Sequence, residues 1–229
     1  MRPAETSRAL TRPAALLAFL GPVAFLVAEA VSAVAWTAGT YDYGVNFISD
    51  LGTTVCGAEY GGRVMCSPLH AVMNAGFVTM GLSMGGLFTA LGLRRRGAVG
   101  VLVAVAGWCV TLGMFLVALF PGGAESVGDG TIVLHVLGAA VAILFANVLF
   151  VMVGAGAHCF GLPAWSAATV VLGVVGLVGL LLTLAPQELA EPAVFERVAV
   201  YSIFAACGVT GAALLAASRR PLGAARPAR

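Results

Sequence analysis

Lysine is absent from this 229-residue chain, and only 10% of its residues are charged. Soluble domains carry roughly 25% charged residues, so this composition excludes an ordinary water-soluble fold. Aromatic residues are sparse at 8%, whereas 60% of the chain is hydrophobic and its mean hydropathy is +1.01. Alternating polarity is missing too: Val99 to Val105 and Val170 to Leu184 are apolar all round. That excludes the period-two strands of a porin-like barrel. The first apolar stretch follows arginines but runs long and lacks a convincing small-residue cleavage site, so it reads as a retained helix rather than a secretory leader. No internal repeat is visible, and an inverted-repeat transporter therefore gains no support.

What the chain does have is six long apolar stretches. A helix needs about 20 mostly apolar residues to cross a hydrocarbon core of ~30 Å, and suitable spans fall at 13–37, 68–93, 98–120, 131–155, 164–185 and 195–217. The expected fold is all-α: a polytopic membrane bundle of six transmembrane helices, one domain over 1–229, organised as three hairpins. Short connections at Arg94 to Gly97 and around Gly156 to Pro163 alternate with longer, more polar ones. Gly81 and Gly85 in the second span, and Gly173, Gly176 and Gly179 in the fifth, suit close helix packing.

Without lysine, orientation rests on arginine, which is retained in cytoplasmic loops. Arg2, Arg8, Arg12, Arg94, Arg95, Arg96, Arg219, Arg220, Arg226 and Arg229 all fall on one side of the bundle. The other side has only Arg63 and Arg197 and collects Asp42, Glu59, Glu125, Asp129, Glu188 and Glu191. Both termini are therefore expected in the cytoplasm, in a cell (inner) membrane. The basic ends suit anionic lipid headgroups rather than nucleic acid. Cys56 and Cys66 share the first outward loop, where an oxidising compartment permits a disulfide or leaves two thiols. Cys109, Cys159 and Cys207 read as small packing residues.

The first outward loop contains Asn46-Phe47-Ile48-Ser49-Asp50-Leu51-Gly52. Asparagine is a good helix N-cap and glycine a good terminator, so a short interfacial helical turn is expected between them. Phe47, Ile48 and Leu51 would be buried, leaving Asp50 near the negative end of the turn, where it requires a donor or cation. Arg63, Arg197, His70 and His135 are the candidate partners. His70 and Asn74 are four apart and share a helix face. His135 starts the fourth span, after Phe120-Pro121-Gly122-Gly123, and Glu196, Arg197 and Tyr201 start the sixth. Glu29 lies about 12 Å below the outer end of the first span, with Ser32 and Trp36 on its face. A carboxyl at that depth lines a polar cavity or bonds another helix. Asn147, about 120° round from His135 on the same helix, suits a bond to a neighbouring helix.

Three readings of this cluster stand side by side. Asp50, His70 and His135 supply enough ligands for a zinc-dependent hydrolase, which needs three and an open position, although no paired-histidine motif supports it. Alternatively, without metal, Asp50 and a histidine perform acid-base chemistry on a lipid or isoprenoid reaching them from the membrane, with Glu29 as a buried proton donor or carbocation stabiliser. Ser49, Asn74, Trp36, Arg197 and Tyr201 would then contact substrate. Ser49 as a nucleophile lacks the usual strand-to-helix elbow. In the third, the polar groups form a structural plug in a non-catalytic transporter or scaffold. The sequence leaves the cofactor unknown, and the bundle is read as monomeric or weakly oligomeric.

The run from Tyr41 to Gly52, with Asn74, Phe120-Pro121, His135 and Asn147, resembles the bacterial and archaeal integral-membrane family known as domain of unknown function 998. The likeness extends from the first helix to the sixth. It implies a fold but no activity, and carries over to Ser49, Asp50, Gly52, Asn74, Pro121, His135 and Asn147. His70 and Glu29 lie outside the family pattern, which weakens the zinc reading most. The Ile-Ser-Asp-Leu-Gly string is also similar to a shorter motif, Phe-Ile-Ser-Asp-Thr-Gly, in the eukaryotic DRAM and FRAG membrane proteins, some of them linked to lipid remodelling.

Overall fold

The computed structural model describes residues 10–184 and 191–219. Arg2, Arg8, Glu188, Arg220, Arg226 and Arg229 of the charge argument lie outside the described residues. The helices are α1 (Thr11–Val34), α2 (His70–Arg95), α3 (Gly97–Leu119), the short α4 (Ala124–Gly128), α5 (Ile132–Ala155), α6 (Ala168–Thr183) and α7 (Pro192–Ser218). All except α4 are long and apolar enough to cross a membrane, counting the turn Ala164–Ala167 that leads into α6. The protein is a multi-pass membrane protein with an all-α, six-span bundle.

The spans form a closed ring in which sequence neighbours pack and α7 returns to α1. Lipid tails are as apolar as leucine, so helices in a bilayer associate through close packing rather than hydrophobic exclusion. Glycine supplies that closeness around the ring. A Cβ added to Gly76 on α2 would sit 2.8 Å from Ala28 on α1, and one on Gly92 would collide with the Gly100 carbonyl of α3. Added to Gly113 or Gly173 it would lie 2.6 Å from the carbonyl of Gly138 or of Asn147, across the α3–α5 and α5–α6 seams. Gly179 approaches Ala199 on α7, and Gly211 of α7 lies against Phe19 of α1. Gly81 and Gly85 make room for Thr111, whose hydroxyl donates to the Gly81 carbonyl at 2.7 Å. Phe25, Phe77 and Phe204 fill the interior edge-to-face.

With the Ala164–Ala167 turn counted, span ends differ from the sequence reading by up to three residues. α1 stops at Val34 because Thr37 turns away and donates its amide to the Cys66 carbonyl. α7 begins at Pro192, a residue whose missing N–H is harmless at a helix start. The first loop also holds an unexpected hairpin, β1 (Ala58–Tyr60) and β2 (Arg63–Met65), with Glu59 opposite Val64. Its Gly61-Gly62 turn needs positive φ at both positions, 56° and 74°. Cys56 and Cys66 form a disulfide at the base of the hairpin. Cys207 packs against Met84, as a small core residue does, but Cys159 is exposed beside His158.

Charge is segregated as the sequence implies. Arg12, Arg94, Arg95, Arg96 and Arg219 lie at one end of the bundle, and Asp42, Glu59, Glu125, Asp129 and Glu191 at the loop end.

Candidate functional site

The loop end is built around the backbone of Asn46 to Gly52, because a non-helical segment inserted among apolar helices must have its polar groups satisfied by protein. Side chains from three parts of the chain do this. Arg197 Nη1 on α7 donates to the Asn46 carbonyl at 2.7 Å, and the neighbouring Glu196 accepts the Ile48 amide. Asn74 of α2 donates to the Gly52 carbonyl at 3.1 Å, and Ser67 to the Leu51 carbonyl at 2.6 Å. The Tyr41 hydroxyl donates to the Phe47 carbonyl at 2.8 Å while accepting from Arg197 Nη2. Burial pushes Tyr41 well above the ordinary tyrosine range, so its hydroxyl keeps the proton this bond requires. Gly52 admits Asn74: a Cβ there would stand 2.5 Å from the amide oxygen.

The turn itself departs from the expectation. It is a 3-10 turn over Ser49–Gly52 whose flanking residue is Ile48, and Asn46 instead accepts the Asp42 amide at 3.1 Å. Asp50 therefore lies at the start of the turn, where its carboxylate accepts the Phe47 amide at 2.9 Å, rather than at the unfavourable end. Of its four candidate partners the structure selects Arg63, with Nε at 3.1 Å and Nη2 at 3.4 Å from the two carboxylate oxygens. The hairpin carries Arg63 into place, and its guanidinium also lies over the Phe47 ring at 4.8 Å.

Asp50 and His135 border one cavity of about 230 Å³ together with Ser49, Arg63 and Glu196. Asp50 is 5% exposed and His135 7%. Phe47, Tyr60 and Gly122 close the polar end, and Val136, Ala140 and Ile143 on α5 with Leu180 and Leu184 at α6 form the apolar end. Val136 and Leu184 are 57% and 78% exposed, so that end opens on the lipid-facing surface. A second void of about 30 Å³ continues inward between Phe25, Phe77 and Met114 and shares Ser49, Ile143 and Glu196 with the first.

His135 Nδ1 meets the Phe120 carbonyl at 2.9 Å. A carbonyl can only accept, so Nδ1 carries a proton, and in the neutral ring Nε2 is an acceptor. Nε2 lies beside Gly122, where a Cβ would approach to 3.3 Å, and has no side-chain partner among the described residues. The Ser49 hydroxyl and Glu196 Oε1 likewise make no hydrogen bond to described residues. Asp50 lies within electrostatic reach of both His135 and Glu196.

A second polar cluster lies between α1 and α7. Glu29, 2% exposed, accepts the Tyr201 hydroxyl at 2.9 Å from either carboxylate oxygen and has Arg197 Nη2 at 3.7 Å. Arg197 stacks under Tyr43 at 5.0 Å and adds a bond to the Ala193 carbonyl. Glu29 thus forms a helix-to-helix bond and borders none of the cavities described above, contrary to a role as a proton donor exposed to substrate.

The remaining expected site residues distribute as follows. Ser49 borders the cavity; Asn74, Arg197 and Tyr201 stand behind it and hold the loop or Glu29. Trp36 bonds the Ala38 carbonyl and faces a separate open hollow with Tyr41 and Tyr43. His70 places Nδ1 on the Ser67 carbonyl at 3.0 Å, away from the cavity. Asp50, His70 and His135 therefore do not gather into a zinc site, and no group of three such side chains suited to a metal occurs among the described residues. The reason is local: His70, the first residue of α2, turns back to the Ser67 carbonyl, whereas Asp50 is drawn toward the hairpin by Arg63. Asn147 bonds the Ala199 carbonyl of α7 at 3.3 Å, the helix-to-helix role expected of it.

The polar cavity residues Arg63 and Glu196 were absent from the expected site, as was Tyr60. Arg63 was visible only as a possible partner for Asp50, and Glu196 was overshadowed by Arg197, its neighbour in sequence. No family model, no curated protein and no solved structure matches this chain.

Proposed function

We propose that this is an inner-membrane protein, with cytoplasmic termini and its loop end outward, that binds a lipid-like or isoprenoid molecule in the cavity beside His135. One observation carries the reading: a single hollow has titratable and hydroxyl groups at its inner end and apolar side chains at an end that opens between lipid-facing residues of α5 and α6. Ligand sites are concave, mostly apolar and equipped with a few convergent polar groups. At about 230 Å³ the hollow has room for a polar head and the first carbons of a chain, the remainder lying along the helices in lipid. If chemistry occurs, His135 Nε2 is the base, Asp50 neutralised by Arg63 orients the reacting group, and Glu196 is the second carboxyl in reach.

The hydrogen bonds that hold Asn46 to Gly52 favour a second reading, a non-catalytic scaffold in which the same groups only secure the loop. Mass spectrometry of lipid retained by purified wild type, Asp50→Asn and His135→Ala, with melting curves of all three, separates the readings. Binding predicts a lipid present in wild type and lost from both variants, whatever fall in melting midpoint follows from breaking the Asp50–Arg63 pair. Lowered midpoints with unchanged lipid content would favour the scaffold.

A further inference from the structure

The open hydrogen-bonding groups of the cavity identify the kind of head it takes. Four side chains have capacity left: His135 at Nε2, Glu196 at Oε1 and Ser49 and Tyr60 at their hydroxyls. The first two are acceptors when the imidazole is neutral and the carboxylate ionised, and the hydroxyls can act either way. Cationic capacity is largely committed: hydrogen bonds take three of the five Arg63 N–H groups, and Arg197 Nε, the one nitrogen of that side chain without a partner, is buried away from the cavity. Arg63 gives Nε and Nη2 to Asp50 and Nη1 to the Gly61 carbonyl at 3.3 Å. Arg197, behind the loop, gives its terminal nitrogens to Asn46, Ala193 and Tyr41. Two carboxyls thus face one arginine that is already paired with one of them.

Such a lining suits a hydrogen-bond donor and opposes an anion. Phosphate recognition uses forked arginine contacts, free backbone amides or a helix N-terminus. Here the amides of Phe47 and Ile48, in the loop beside the cavity, are occupied by Asp50 and Glu196. Resting on the lipid-binding reading above, we infer that the cavity takes a lipid whose head is an uncharged hydroxyl, such as a diacylglycerol or a long-chain or polyprenyl alcohol, and rejects its phosphorylated counterpart. The head hydroxyl donates to His135 Nε2 and accepts from Ser49, with Glu196 alongside.

The test compares dioleoylglycerol with dioleoyl phosphatidate, which share their chains and differ in the head. Each is titrated into the purified full-length protein in detergent, and bound lipid is counted by native mass spectrometry. The inference expects dioleoylglycerol to bind at least about tenfold more tightly, a margin that one good polar mismatch supplies. Glu196→Gln keeps an oxygen for the Ile48 amide but removes a charge, and should narrow the preference roughly threefold or more by improving phosphatidate binding. Ala140→Phe, on an exposed position bordering the cavity, fills the opening without altering a packed seam and should abolish both. Equal or tighter phosphatidate binding that Ala140→Phe abolishes would overturn the inference while leaving the binding reading standing. Binding of neither lipid, or binding indifferent to Ala140→Phe, would overturn both.

Discussion

Two polar clusters sit at the same end of the bundle, and they differ in how much hydrogen-bonding capacity they leave open. Around Glu29, both carboxylate oxygens, the Tyr201 and Tyr41 hydroxyls and the terminal nitrogens of Arg197 all have partners in the protein, and only the buried Arg197 Nε is left without one. Around Asp50, the imidazole, a serine and a carboxyl each keep an open position beside a cavity. Similar side chains at the same end of the bundle therefore support different roles. A closed network fixes the loop against the helices, whereas an open one can receive a ligand.

Breaking the closed cluster should produce the largest effect. Arg197→Met leaves Glu29 and the Asn46 carbonyl without their cation, and removing one partner from a buried ion pair costs about 3–5 kcal/mol. A melting curve in detergent should show a fall large enough to threaten expression. A mild decrease would mean that water reaches Glu29 freely. Removing the disulfide with Cys56→Ser and Cys66→Ser should cost about 2 kcal/mol, because a short closed loop restricts the unfolded chain less than a long one. The same pair of changes should weaken lipid binding, since the hairpin carries Arg63 to Asp50.

Ser49→Ala sharpens the contrast from the other side. A hydroxyl without a protein partner contributes little to folding, so its removal should move stability by no more than about 0.5 kcal/mol while reducing binding of a hydroxyl-headed lipid. A large loss of stability would transfer Ser49 to the closed class. The smallest effect belongs to Asp129, an exposed carboxyl held below the usual range by the Thr131 hydroxyl and amide. Its folded value lies below the unfolded one, so any stabilisation is present above the ordinary aspartate range and is lost as pH falls through the folded value. Asp129→Ala should leave the melting midpoint at neutral pH unchanged.

Legibility in the sequence followed the length scale of each signal. A span of about 20 apolar residues registers in hydropathy whatever its neighbours, and all six appeared with ends displaced by no more than three residues. The hairpin has strands of three residues, too short for alternation to register, although Gly61-Gly62 marks the turn. Choosing Arg63 for Asp50 required that hairpin. Adjacent residues on a helix point roughly 100° apart. Glu196 and Arg197 consequently serve different roles, and sequence alone pointed to Arg197 rather than to Glu196, the one that borders the cavity. His70 and Asn74 share a face as expected, yet only Asn74 is long enough in the right direction to meet Gly52.

The most direct test of the central claim is photolabelling with a long-chain alcohol bearing a diazirine near its head, followed by peptide mapping of wild type and Ala140→Phe. The account predicts adducts concentrated between 132 and 143 on α5 and between 180 and 184 at α6, and their loss in the variant. Label spread evenly over exposed lipid-facing residues such as Leu16, Val23 and Val27 of α1, unchanged by Ala140→Phe, would contradict it.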